Sequence, residues 1–185
     1  MTKQEWIDGS LVETDTDYQI EGQNILYKNE REFLVKGVEL LCNQQTPKSV
    51  LEFGFGLGWT STEFQRHSLD THIILEPNTA SYNLGVEWKK DYNTNIEIIK
   101  CFSWDYTPTI TFDLIYDDRQ EVISEKKHEE HMDKILSNGQ WYAGWTSEVT
   151  DRRISDYPIF FDMNNKLYAQ SLKKHGEYLP CPLYI

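Results

Sequence analysis

An α/β fold, a mostly parallel sheet with helices on both faces, follows from three features of this sequence. Short apolar runs near 49–53, 71–76, 95–100, 111–117 and 139–145 alternate with helical stretches, as parallel strands joined by helical crossovers require. The first run, Val50-Leu51-Glu52-Phe53, opens into glycines at alternate positions, Gly54, Gly56 and Gly58, just before a helix start. Such glycines let the backbone turn sharply and approach a ligand that a side chain would displace. The second run ends on Glu76, about where nucleoside-binding folds place a carboxylate on ribose hydroxyls.

The elements follow in chain order. Residues before Asp17 are polar and acidic with an isolated Trp6, and are expected to be loosely ordered unless a ligand gives them something to cover. Tyr18 to Tyr27 carries apolar residues on both sides of a turn at Gly22, which suggests a short hairpin or extended arm. From Asn29 the apolar positions Phe33, Leu34, Val38, Leu40 and Leu41 take helical spacing, so this segment should pack on the sheet. Further helices are expected at 58–67, 78–91 and 120–137, the last closed by Asn138-Gly139. Asp151 to Phe161 reads as a loop or short helix, and Lys166–Leu172 and Tyr178–Ile185 as the final strands.

The chain of 185 residues is the size of one domain, and no linker divides it. Residues 1–27 are expected to form an arm or lid and 28–185 a single domain. No stretch reaches membrane-spanning length and no targeting segment is evident, so a soluble, cytoplasmic protein is expected. Cys42, Cys101 and Cys181 are odd in number and widely spaced, which fits a reducing compartment and neither a disulfide framework nor a zinc site. A net charge of −12 disfavours nucleic acid, whose binding needs Lys and Arg to displace counterions. The expected partner is a small molecule, with the protein a monomer or homodimer.

The spacing of the loop refines the ligand. Dinucleotide sites use G-x-G-x-x-G and a helix N-terminus for pyrophosphate, whereas this loop is G-x-G-x-G with Glu52 two residues before it. A carboxylate there repels phosphate and suits a ligand with a cationic end, such as the amino group and sulfonium of S-adenosylmethionine. An ordinary strand-to-helix turn would also explain the glycines, but not Glu76 as well. The strand ends carry acids and aromatics, among them Ser103-Trp104-Asp105 and Tyr116-Asp117-Asp118, a suitable lining for a cation beside a flat ring.

At these positions the chain resembles the guanidinoacetate N-methyltransferases and the related fungal arginine N-methyltransferases, within the S-adenosylmethionine-dependent methyltransferases. The resemblance runs from about Ile20 to Thr150. It is carried by Ile20-x-Gly22 followed by Glu30, Val50-Leu-Glu-x-Gly-Phe-Gly56, Ile74-Leu-Glu-Pro-Asn78, Trp104-Asp105, Leu114-Ile-Tyr-Asp117, His131 and Tyr142-x-x-x-Thr146-Ser147. It implies a Rossmann-like sheet of seven strands with an N-terminal arm. It also implies that Glu52, Phe53, Gly54, Phe55, Gly56 and Leu57, with Glu76, Pro77 and Asn78, hold the methionine and ribose parts of S-adenosyl-L-methionine. By the same resemblance Ser103 and Trp104 flank the adenine, Leu26 and Leu34 line the pocket, and Trp6 closes over it. Glu30 and Asp117 match the acids that grip the guanidinium, Asp117 also touching the cofactor, and the backbone at Trp145-Thr146 matches the receiver of the substrate carboxylate.

The chemistry of two such acids can be stated without the family. A guanidinium is planar and offers paired N–H donors that suit a carboxylate in bidentate fashion. Methyl transfer is an in-line displacement, with the accepting nitrogen about 3 Å behind the methyl carbon. A fully protonated guanidinium has no lone pair to use, so a carboxylate must take a proton as the bond forms, a role expected of Asp117 with Glu30 assisting.

Simpler roles compete. Asp117 could cap the next helix, Glu30 could be a first-turn acid and Trp104 plain core. His128 and His131 lack a third ligand, and no metal is expected. The chain also departs from the family pattern: Asn29 replaces a Trp, Arg31-Glu32 a Thr-Pro, Leu57-Gly58 a Met-Ala, and Asp118-Arg119 a Thr-Tyr. An arginyl side chain, another amine or a hydroxyl acceptor, or S-adenosylmethionine binding without catalysis, are the alternatives.

Overall fold

The computed structural model describes residues 1–118, 135, 138–146, 159–163, 166–174 and 177–178. Most of the expected helix at 120–137, with His128 and His131, lies outside the described residues, as do Arg119, Ser147 and 179–185.

The N-terminus is ordered, contrary to the expectation from its polarity. Helix α1 (Lys3–Asp8) starts with a capping box in which Thr2 and Glu5 satisfy each other's backbone N–H groups. Its Trp6 is buried with Ile20 and Phe102. Polar tethers complete the docking: the Asn78 amide donates to the carbonyls of Trp6 and Gly9 at 2.7 and 2.9 Å, and the Thr79 hydroxyl donates to the Ile7 carbonyl at 2.7 Å. Long-range partners, invisible in the local sequence, give this arm its order.

Strands β1 (Leu11–Glu13), β2 (Asp17–Ile20) and β3 (Gln23–Tyr27) form a separate antiparallel sheet. Its second turn is made by Glu21 and Gly22, both at positive φ of 49° and 73°, the conformation that matches hairpin twist.

A 3-10 turn (Lys28–Glu30) leads into α2 (Arg31–Gln45), which buries Leu34, Val38, Leu41 and Cys42 along one face and stops at left-handed Thr46 before Pro47. The main sheet then builds from β4 (Ser49–Phe53), β5 (Thr71–Leu75), β6 (Asn95–Ile99), β7 (Phe112–Asp117) and β8 (Gly139–Thr146), parallel in the order β6-β5-β4-β7-β8. Helix α3 (Trp59–Phe64) follows β4, and α4 (Thr79–Trp88) follows β5. Alternation along the strands assigns the faces. Val50, Leu114 and Tyr116 pack with Val38, Leu41 and Phe64 of α2 and α3. Leu51, Phe53, Ile73, Leu75 and Ile115 pack on the other face with helical Ile135.

Beyond β8 the sheet continues with antiparallel β10 (Lys166–Lys174) and β11 (Glu177–Tyr178), and β9 (Ile159–Met163) pairs with β10. The described sheet thus has eight strands where seven were expected, seven of them in one continuous order. Residues 159–161 are strand rather than loop or helix, because the β-prone Ile-Phe-Phe run gains a ladder on β10.

Strand order reverses at β4, whose neighbours are β5 on one side and β7 on the other. Asp113 secures this junction at its far end, its carboxylate accepting the backbone N–H groups of Lys48 and Ser49 at 2.8 and 3.0 Å. The carboxyl ends of β4, β5 and β7 are therefore level, with Phe53 paired to both Leu75 and Asp117. Ligands of open α/β sheets bind in the crevice above such a point.

Candidate active site

The glycine loop after β4 has one shape, imposed from several sides. Gly54, Gly56 and Gly58 all take positive φ, at 87°, 53° and 72°. A β-carbon on Gly58 would lie 2.6 Å from the Phe55 ring, and one on Gly56 would lie 3.0 Å from Leu26. Strain and contact together reserve these positions for glycine. Glu76 at the β5 end fixes the loop from beneath: one carboxylate oxygen accepts the N–H groups of Phe55 and Gly56 at 2.9 and 3.2 Å, and the other accepts that of Asn78 at 2.7 Å. Burial raises the pKa of Glu76, and the N–H groups of Asn78, Gly56 and Phe55 offset part of that rise.

Above the loop lies a cavity that opens to solvent. Its floor is Phe53 to Leu57 with Thr60, and Leu75, Glu76, Pro77 and Ser81 form one wall. Phe102, Ser103 and Trp104 form another, with the Phe102 and Trp104 rings stacked at 4.4 Å between centroids. Trp6, Ile20, Ile25, Leu26 and Leu34 close it from the N-terminal side, and Asp118 stands at its β7 end. Its apolar walls, aromatic pair and ribose-type acid fit S-adenosylmethionine. Among the described residues no Lys or Arg lines it.

Most residues expected to hold the cofactor meet here: Trp6, Leu26, Leu34, Phe53, Gly54, Phe55, Gly56, Leu57, Glu76, Pro77, Ser103 and Trp104 all line the cavity. Three do not line it: Asp117, treated below with the substrate acids, Asn78 and Glu52. Asn78 is fully buried, accepts the Ser81 N–H to cap α4, and tethers α1. Glu52 is fully buried beneath the loop, where it accepts the hydroxyls of Thr60 and Ser61 at 2.5 and 2.6 Å and lies 3.0 Å from Nε2 of His72. The other His72 nitrogen faces the Gln65 amide nitrogen at 2.9 Å. The Glu52 carboxylate is thus held by donors of α3, and its charge acts on the site from a distance.

The expected substrate acids are also set back from the cavity wall. Glu30 is 6 % exposed and accepts the N–H of Tyr27 at 3.1 Å; Asp117 is 9 % exposed. Both lie close enough to Asp118 to raise its proton affinity. Asp118 itself lines the cavity, its backbone N–H donating to the Phe53 carbonyl at 3.1 Å. Trp145 and Thr146 end β8, where Gly144 pairs with Asp117. Among lining residues not singled out as contacts beforehand are Ile20, Ile25, Trp59, Thr60, Ser81 and Phe102. Trp59 and Thr60 open the helix after the loop and Phe102 precedes Ser103, so adjacency to the named motifs was the available signal.

Solved structures share this architecture. The N-methyltransferase NodS from Bradyrhizobium japonicum WM9, in complex with S-adenosyl-L-homocysteine, is 11% identical over 81% of this chain and 89% of its own, with a TM-score of 0.63. Magnesium protoporphyrin IX methyltransferase from Synechocystis PCC 6803, with bound S-adenosylmethionine, is 8% identical over 78% of each chain, with a TM-score of 0.59. Spermidine synthase in complex with a transition-state analogue is 17% identical over 92% of this chain and 74% of its own, also at 0.63. No curated protein matches the sequence significantly. The sheet order and loop define the class I methyltransferase fold.

Residues 2–142 match the guanidinoacetate N-methyltransferase family, and the chain belongs to that family. It is an S-adenosylmethionine-dependent N-methyltransferase.

Proposed function

We propose that the protein transfers the methyl group of S-adenosylmethionine to a guanidino nitrogen of a small, guanidinoacetate-like substrate. The observation that carries this reading is that Glu30 and Asp117 lie near Asp118, which lines the cofactor cavity. Three carboxyls at one place suit a planar, delocalised cation with several N–H donors, and they disfavour a phosphate-bearing acceptor. When bound, the cofactor supplies an electrophilic methyl carbon on a sulfonium.

The chain's residues supply position and charge. Glu30 and Asp117 hold the plane of the guanidinium, and Asp117 takes its proton with Glu30 assisting. The backbone at Trp145 and Thr146 receives the carboxylate of the acceptor. The glycine loop and Glu76 hold the methionine and ribose parts, with Ser103 and Trp104 on the adenine. Residues 1–27 act as a lid, with Trp6 as its inner face. Most of the acceleration comes from holding donor and acceptor in line and from acids that match positive charge as it moves toward the substrate.

Incubation with S-adenosylmethionine and a panel of guanidino compounds, amines and hydroxyl compounds tests this reading, with methylated product read by mass spectrometry. Methylation of guanidino compounds is the expected result. Methylation of amines or hydroxyls alone would replace it, and cofactor binding without turnover on any acceptor would point to a binding protein.

A further inference from the structure

We propose that Arg31, the first residue of α2, receives the α-carboxylate at the methionine end of S-adenosylmethionine. The assignment is independent of the methyl acceptor and rests on the placement of the cofactor given above, with adenine at Ser103 and Trp104, ribose at Glu76 and methionine on the glycine loop. That loop leads directly into Trp59 and Thr60, which open α3 and line the cavity, and α3 packs beside α2. A donor laid from the adenine wall across Glu76 and over the loop brings its amino-acid end to the start of α3.

This end carries an ammonium and a carboxylate, and the site as described serves only the first. Glu76 and Asp118 line the cavity, and Glu30, Glu52 and Asp117 lie near Asp118, so the acids present repel a carboxylate. It needs N–H donors, best in the paired geometry of a guanidinium. Two cations stand over aromatic rings of the cavity lining. Lys3 Nζ lies 4.7 Å from the Phe102 centroid and 5.8 Å from that of Trp104, on the adenine side, and it is committed to Asp105 at 2.8 Å. The Arg31 guanidinium carbon lies 5.8 Å from the Trp59 centroid and has no carboxylate partner among the described residues. In an acidic chain that is unusual: Lys28, Lys36, Arg66 and Lys90 are each paired with an acid.

The stacked arrangement suits a carboxylate receiver. Tyr18 of β2 meets Trp59 edge-on, with centroids 6.0 Å apart and planes at 76°, so the indole is braced from one side while it carries the guanidinium. A cation over an aromatic face gives up rotamer freedom before the ligand arrives, which lowers the cost of binding. Contact through the face of the guanidinium leaves the N–H groups at its edge for an anion. A lysine at this position would offer a point charge without that fork.

The test is a cycle between side chain and ligand group, read by calorimetry at neutral pH. Wild type, Arg31→Ala and Arg31→Lys are each titrated with S-adenosylhomocysteine and with its decarboxylated analogue, which keeps the amine. Wild type should bind S-adenosylhomocysteine at least about tenfold more tightly than the analogue, as loss of a charge-assisted contact implies. Arg31→Ala should lose that preference by weakening only the carboxylate-bearing ligand, and Arg31→Lys should keep part of it. Equal weakening of both ligands would overturn the proposal and mark Arg31 as a prop for Trp59. Unchanged binding of both, with a raised KM for guanidinoacetate, would overturn it in favour of the acceptor's carboxylate. Glu76→Ala separates the two levels of failure. If it weakens S-adenosylhomocysteine while Arg31→Ala leaves the preference intact, the role of Arg31 alone is refuted; if neither variant has any effect, the placement of the cofactor is refuted as well.

Discussion

The ends of β4 and β7 lie side by side, carry carboxylates of similar reach, and use them in opposite ways. Glu52 accepts two hydroxyls from the first turn of α3, with a ring nitrogen of His72 on β5 at 3.0 Å. Asp118, tied to the same strand end through its backbone, lines the cavity, and its carboxyl has no such donors among the described residues. A carboxylate that accepts two hydroxyls from the helix it underlies is part of the scaffold. One whose proton affinity is raised by burial and by the charges of three other carboxylates is a poor structural element when ionised. At an acidic strand end, the supply of local donors separates support from chemistry.

The largest expected effect tests the β4 side. Glu52→Ala strands the Thr60 and Ser61 hydroxyls in a fully buried site and should lower stability by about 2–4 kcal/mol, read by urea unfolding. A loss below about 1 kcal/mol would break the comparison, since the network would then not be structural.

Glu76 stands between the two extremes, held by three N–H groups yet open to the cavity. Glu76→Ala should weaken S-adenosylhomocysteine binding by about 1–3 kcal/mol through lost charge-assisted hydrogen bonds, measured by calorimetry. Unchanged affinity would place the ribose elsewhere and leave Glu76 as a brace for the loop.

A smaller effect has a definite sign. The folded-state pKa of Asp118 lies above its unfolded value, so its contribution to stability is present below about pH 4 and is lost as pH rises through the raised value. Asp118→Asn should therefore be more stable than the wild type on the alkaline side, the reverse of Glu52→Ala, in urea melts across the pH range. Glu76 adds a contribution of the same sign as Asp118.

The smallest effect is at the rim of the arm. Lys3 pairs with Asp105 at 2.8 Å and lies over the Phe102 ring, but both ion-pair partners are about half exposed, at 50% and 49%. Lys3→Ala should cost no more than about 0.2–1 kcal/mol in thermal unfolding, and the cost should shrink with added salt. A larger, salt-independent loss would mean that this pair, and not buried Trp6, holds the arm.

The sequence by itself determined the alternation of strands and helices, the glycine bend and the acid at the β5 end. Each is a local matter of apolar period, backbone freedom at three glycines, and spacing from loop to carboxylate. Tertiary structure decided what no window of sequence contains. It ordered the N-terminal arm through Asn78 and Thr79, seventy residues away. It buried Glu52 against Ser61 and His72, and brought Asp118 rather than Asp117 to the cavity wall. A carboxylate's role depends on which donors and charges surround it, and those arrive from other elements only when the sheet closes.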